Sequence, residues 1–101
     1  MAERAIVIDP RDSVAVAVVE LEAGQSCAVR VGEEILEVRT RERIPFGHKL
    51  ALRMIPRGEA VLKYGEVIGE ATADIEPGAW VHVHNLASLR GRGRAEEEVG
   101  K

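Results

Sequence analysis

The 101-residue chain has one cysteine, three aromatic residues and no apolar run near the ~20 residues that a membrane-spanning helix requires. A lone Cys27 cannot close an internal disulfide and offers no zinc-ligand set, so the fold must rest on its apolar core. Cys27 itself is read as a small buried hydrophobe rather than a nucleophile. Fourteen basic against seventeen acidic residues leave a net charge of −3. With so few aromatics, that balance argues against a nucleic-acid binder. Met1-Ala-Glu-Arg4 opens no signal-peptide pattern, and a cytoplasmic location is expected. Length is scarce too. A chain this size buries about 65% of its surface, which serves one small core. Pockets of roughly 300–1,000 Å³ usually need more walls than that, so any chemistry is expected to be shared with a partner.

What is present is β-forming. Val and Ile dominate the apolar residues and alternate over short distances, predicting an all-β domain. Residues 14–21 read as a strand buried on both faces or bulged near Val18-Val19, 27–31 and 35–39 as a hairpin, and 49–55 as a strand with Leu50, Leu52 and Met54 on one face. Extended pieces follow at 59–64 and 67–72, and a last strand at 79–84. Gly and Pro punctuate the chain every 8–12 residues, as in a small barrel or clip. Residues 1–12 form an N-terminal segment with room for one short strand, 13–89 the domain, and 90–101 a polar, mobile tail rich in Arg, Gly and Glu. A helical turn at 86–89 and no internal repeat complete the expectation.

The histidines carry the chemical signal. On a strand running through residue 84, Trp80, His82 and His84 share one face, with the imidazoles about 7 Å apart and Val81 and Val83 turned inward. Such a pair can share a metal, bind an anion or act as general acid and base, or simply stand on an exposed face. His48 and Lys49 follow Ile44-Pro-Phe-Gly47, a loop able to fix both at one angle to an anion. Asn85 supplies an amide that can orient a hydroxyl. Arg39, Arg41 and Arg43 line a strip that is solvated or faces a partner. In Lys63-Tyr-Gly-Glu66, a structural ion pair and a tyrosine packed on the core explain the residues as well as function does.

Three segments in order, Ile44-Pro-Phe-Gly-His-Lys-Leu-Ala-Leu52, Lys63-Tyr-Gly-Glu-Val-Ile-Gly-Glu-Ala-Thr72 and Val81-His-Val-His-Asn-Leu86, resemble the SAF-type domain of the altronate and galactarate dehydratase family. The resemblance runs from about residue 13 to about residue 94. It implies a β-clip fold like that of type III antifreeze protein. It also implies a small subunit that works beside a large catalytic one, dehydrating a sugar acid to a 2-keto-3-deoxy acid with a divalent metal such as iron(II) or manganese(II). His48, His82 and His84 would then be catalytic, Lys49 and Asn85 would bind substrate, and His82 and His84 could ligate the metal if the large subunit does not. The small subunit of sulfolactate sulfo-lyase is a further relative, which leaves sulfite elimination open. A stand-alone sugar-acid binding module without turnover is the non-catalytic alternative, and self-association into a homo-oligomer is a separate possibility.

Overall fold

The computed structural model describes residues 3–88. They form nine short strands and no helix: β1 (Ala5–Val7), β2 (Val14–Ala17), β3 (Ser26–Val31), β4 (Glu34–Arg39), β5 (Lys49–Ala51), β6 (Ala60–Lys63), β7 (Glu66–Ala71), β8 (Trp80–Val81) and β9 (Leu86–Ser88). Six make one sheet in the order β4-β3-β1-β2-β5-β8, and β6-β7-β9 make a second. All pairings are antiparallel except β1 with β3. The all-β expectation therefore holds. β1 sits in the middle of the large sheet, so the fold begins ahead of residue 13. Residues 86–88 form β9 rather than a helical turn, and the expected tail at 90–101 lies outside the described residues.

Strand alternation sorts the side chains into two cores. Ala15, Leu50 and Trp80 stand in register across β2, β5 and β8 and face a cluster containing Ala5, Leu21, Val29 and Ile44. Val14, Ala51 and Val81 face the other way, onto Val61, Ala71, Ile55 and Ile75 beside the small sheet. Strand β2 is therefore buried on both sides, as its continuous apolar run requires. The β5 strand is shorter than read, and Met54 is exposed beyond its end.

A structural repeat, not anticipated from the sequence, organises these cores. Leu21, Ile44, Ile55 and Ile75 each form an isolated bridge, Leu21 with Ile44 and Ile55 with Ile75. All four are essentially fully buried. Three residues after each comes a glycine, Gly24, Gly47, Gly58 or Gly78, with φ between 73° and 89°, and then a strand. A side chain is strained at that φ, so glycine sets the turn while the aliphatic residue ahead of it plugs the core. Burying each plug stabilises the fold by about 1.5–3 kcal/mol.

Candidate functional site at the edge of the large sheet

Strand β8 is an edge, and side chains rather than a neighbouring strand satisfy its outward backbone groups. The Trp80 N–H donates to the Glu42 carboxylate at 3.0 Å, and the Trp80 carbonyl accepts from the Asn85 side-chain amide at 2.9 Å. The same Asn85 accepts the His82 N–H through Oδ1 at 2.9 Å, while the Asn85 N–H donates to the His82 carbonyl at 3.0 Å. These bonds fold residues 82–85 into a turn and end the strand at Val81. The expected strand through residue 84 is thereby corrected: His82 and His84 leave the sheet, and Val83, read as facing inward, is 80% exposed. Asn85 is buried, with both ends of its amide engaged in the turn. It positions His82 through the backbone.

A second turn brings His48 to the same place. The His48 N–H donates to the Pro45 carbonyl at 3.1 Å, and Gly47 at φ 82° makes the tight return possible. Lys49 then opens β5 opposite Val81. The result is a cluster of four rings. Trp80 stacks on His82 with centroids 5.1 Å apart and planes at 10°. His48 lies 5.4 Å from Trp80 and 5.0 Å from His82, and His84 lies 5.6 Å from Trp80. The sequence-predicted residues His48, Lys49, His82 and His84 thus meet at one sheet edge. Trp80, which the alternation argument treated only as a neighbour, is the ring they gather on.

The hydrogen bonds fix the proton on His48. The Trp80 indole N–H donates to its Nδ1 at 3.2 Å, so in the neutral ring the proton sits on Nε2. His48 then presents a donor, with no lone pair free for a metal. Burial of the His82 ring, reinforced by the positive charge that His48, Lys49 and His84 carry or acquire, pushes its pKa below the ordinary histidine value. Neutral His82 is suited to accept a proton. Burial, and then the Lys63 ammonium, lower the pKa of Lys49.

Among the described residues no three His, Cys, Asp or Glu side chains come together as a metal-ligand set. The described residues therefore do not fit a self-contained iron(II) or manganese(II) centre. Cys27 is buried, with its thiol pKa raised by burial, as an inert core residue. Arg43 pairs with Glu20, while Arg39 and Arg41 line an open groove of about 520 Å³ that shares no residue with the ring cluster.

A sequence model of the altronate/galactarate dehydratase SAF domain matches residues 3–89. The chain belongs to this family. It is 41% identical over 88 residues to the (2R)-sulfolactate sulfo-lyase subunit alpha of Chromohalobacter salexigens, a match covering 84% of this chain and 94% of that one. It is 38% identical over 64 residues to the subunit alpha of the same name from Paracoccus pantotrophus, covering 63% of this chain and 96% of that one. Altronate dehydratase of Escherichia coli is 42% identical over 80 residues, which cover 79% of this chain but only 15% of the dehydratase. These relatives are lyases by name, two of them separate alpha subunits.

Proposed function

We propose that this chain is the small subunit of a lyase that eliminates a leaving group from an anionic 2-hydroxy acid, in a site completed by a larger partner subunit. The observation that carries the reading is the gathering of His48, His82 and His84 on Trp80 at the edge strand, with the Lys49 charge felt at His82. Phe46 and Val83, 70% and 80% exposed on the two turns that hold the histidines, give that chain an apolar footing.

Elimination requires a base for the proton on C2, a cation for the carboxylate and a donor for the departing group. Lys49 holds the carboxylate. Neutral His82 takes the C2 proton as the C2–C3 double bond forms and the C3 substituent leaves with its electron pair. The Nε2–H of His48 donates to the substrate during that step. The enol so formed tautomerises to the 2-keto acid. In the sulfo-lyase reading the leaving group is sulfite. This version is favoured because the match spans nearly the whole of two sulfo-lyase alpha subunits and 15% of altronate dehydratase. Loss of water from a sugar acid is the second version, supported by the dehydratase SAF match.

The test is co-expression with a large lyase subunit. Sulfite release from (2R)-sulfolactate and keto-acid formation from altronate and galactarate are assayed in parallel. Loss of sulfite release on omitting this chain, and a drop of about 10²–10⁴-fold for His82→Ala, are expected. Full activity of the large chain alone, or of the complex carrying both His82→Ala and His84→Ala, would overturn the reading.

A further inference from the structure

The β6–β7 hairpin carries a lysine and a tyrosine that the elimination chemistry does not use. Its tip is unusual. Tyr64 has φ 58°, the one positive value outside glycine among the described residues, and Gly65 follows at 74°. A bulky residue holds that conformation only where its surroundings enforce it. The enforcing group is the buried Asp12 carboxylate. It accepts the Tyr64 N–H at 3.0 Å, the Gly65 N–H at 2.8 Å and the Asp9 N–H at 3.3 Å. The Asp9–Arg11 ion pair, which draws the Asp9 carboxyl down to about 2, leans on the face of Gly65 where a side chain would clash.

The fixed tip does not serve an ion pair or the core. Lys63 stands opposite Glu66 across the hairpin but forms no salt bridge with any described residue. Its ammonium instead lies 4.7 Å from the centroid of the Tyr64 ring, and that ring is 55% exposed. Both simple explanations offered by the sequence therefore fail.

The topology brings this lysine toward the site. Lys49 and Ala51 leave β5 on the same side, and Ala51 packs with Val61 of β6 in the second core. Ser13, at the head of β2, donates its N–H to the Leu62 carbonyl at 3.0 Å and accepts the Leu62 N–H on its hydroxyl at 3.1 Å, tying β6 to the large sheet one residue before Lys63. The Lys63 charge is consequently felt at Lys49. Two ammonium groups that repel each other suit a ligand bearing two separated anions.

We propose that Lys63, braced by Tyr64, is a second anion anchor, so that the site selects 2-hydroxy acids with two anionic groups over those with one. This rests on the proposed function, in which Lys49 takes the carboxylate. Lys63 takes the remote anion, a sulfonate or a second carboxylate, and Tyr64 steers the lysine and presents its hydroxyl beside it.

Trp80, the sole tryptophan, provides the signal. The full chain is titrated with (2R)-sulfolactate and with L-lactate, which has the same arrangement at C2 and lacks the second anion, while indole fluorescence is followed. Wild type is expected to bind sulfolactate at least about fivefold more tightly than lactate. Lys63→Gln removes that preference by weakening sulfolactate alone, Lys63→Arg restores it, and Tyr64→Gly, which suits the turn, lowers it. Equal affinity of wild type for both acids, or a Lys63→Gln variant weakened equally toward both, overturns the anchor. If Lys49→Gln then weakens both acids, the underlying anion site stands without Lys63. Failure of wild type to bind either acid both alone and in complex with the large subunit overturns both.

Discussion

Replacing Asn85 by alanine separates a structural role from a substrate contact. The substitution deletes the acceptor for the His82 N–H and the donor to the Trp80 carbonyl, two bonds of 2.9 Å at a buried residue. Each such bond contributes about 0.5–1.5 kcal/mol net, and a backbone group left without a partner out of water costs about 1–3 kcal/mol. Because the turn can relax toward solvent on the Val83 side, a total near the lower sum, about 2–3 kcal/mol, is expected. For a domain of this length that lowers the melting temperature by about 8–24 °C. Asn85→Asp keeps the acceptor and loses the donor, so it should fall between the two. Thermal unfolding followed by Trp80 fluorescence measures the loss where it arises. An Asn85→Ala protein melting within about 2 °C of wild type, yet inactive with its partner subunit, would show that the amide serves substrate and not the turn.

Two further outcomes follow from the ring cluster. Trp80→Phe removes the hydrogen bond to His48 Nδ1 and should cost about 0.5–1.5 kcal/mol beyond the effect of ring size; nitrogen NMR should show His48 protonated at Nε2 in wild type, and a proton on Nδ1 there would refute the assignment. His82 has a lowered folded pKa, so below about 6.5 the unfolded chain takes up a proton before the folded one does. Its contribution to stability is therefore complete above about pH 6.5 and is lost as pH falls through the folded pKa. Urea unfolding of wild type and His82→Gln across this range should diverge toward acid, with the variant less pH-sensitive; parallel curves would refute it.

Much of the fold was legible because β structure writes itself locally. The Val14–Ala17 run, the Ser26–Val31 and Glu34–Arg39 hairpin and the Glu66–Ala71 strand all carry the β-branched pattern and the flanking glycines that predict them. The repeat escaped notice because its units share little beyond one plug and one glycine. Leu21-Glu-Ala-Gly24, Ile44-Pro-Phe-Gly47, Ile55-Pro-Arg-Gly58 and Ile75-Glu-Pro-Gly78 look alike only once Leu and Ile are seen as equivalent plugs and φ makes the glycines equivalent. Ala5–Val7 was hard to place for a related reason. Three residues hold too little pattern to show that they are the centre of a sheet, and only the parallel partner β3 reveals it.

The sequence singled out the histidines that gather on Trp80, and their geometry was not legible in it. Alternation assumes a continuing ladder, and at an edge strand nothing enforces one; a single buried amide at Asn85 outcompetes extension and turns the two histidines around Trp80. The setting of Lys63 was misread for a different reason. Its local neighbours suggested an ion pair with Glu66, but a type of turn that holds Tyr64 at positive φ depends on Asp12, fifty-two residues away in sequence. Composition held a clue that spacing did not. The two cores are built from Ala, Val, Leu, Ile and Cys with Trp80 only at the margin of one, while Phe46, Tyr64 and Trp80, the three aromatics, all sit on the segments that carry His48, Lys63 and His82. Aromatic rings are the largest apolar groups a small core could use. This chain keeps them at the margins of its interior and places each beside a cationic or titratable side chain, which is the arrangement that the proposed site uses.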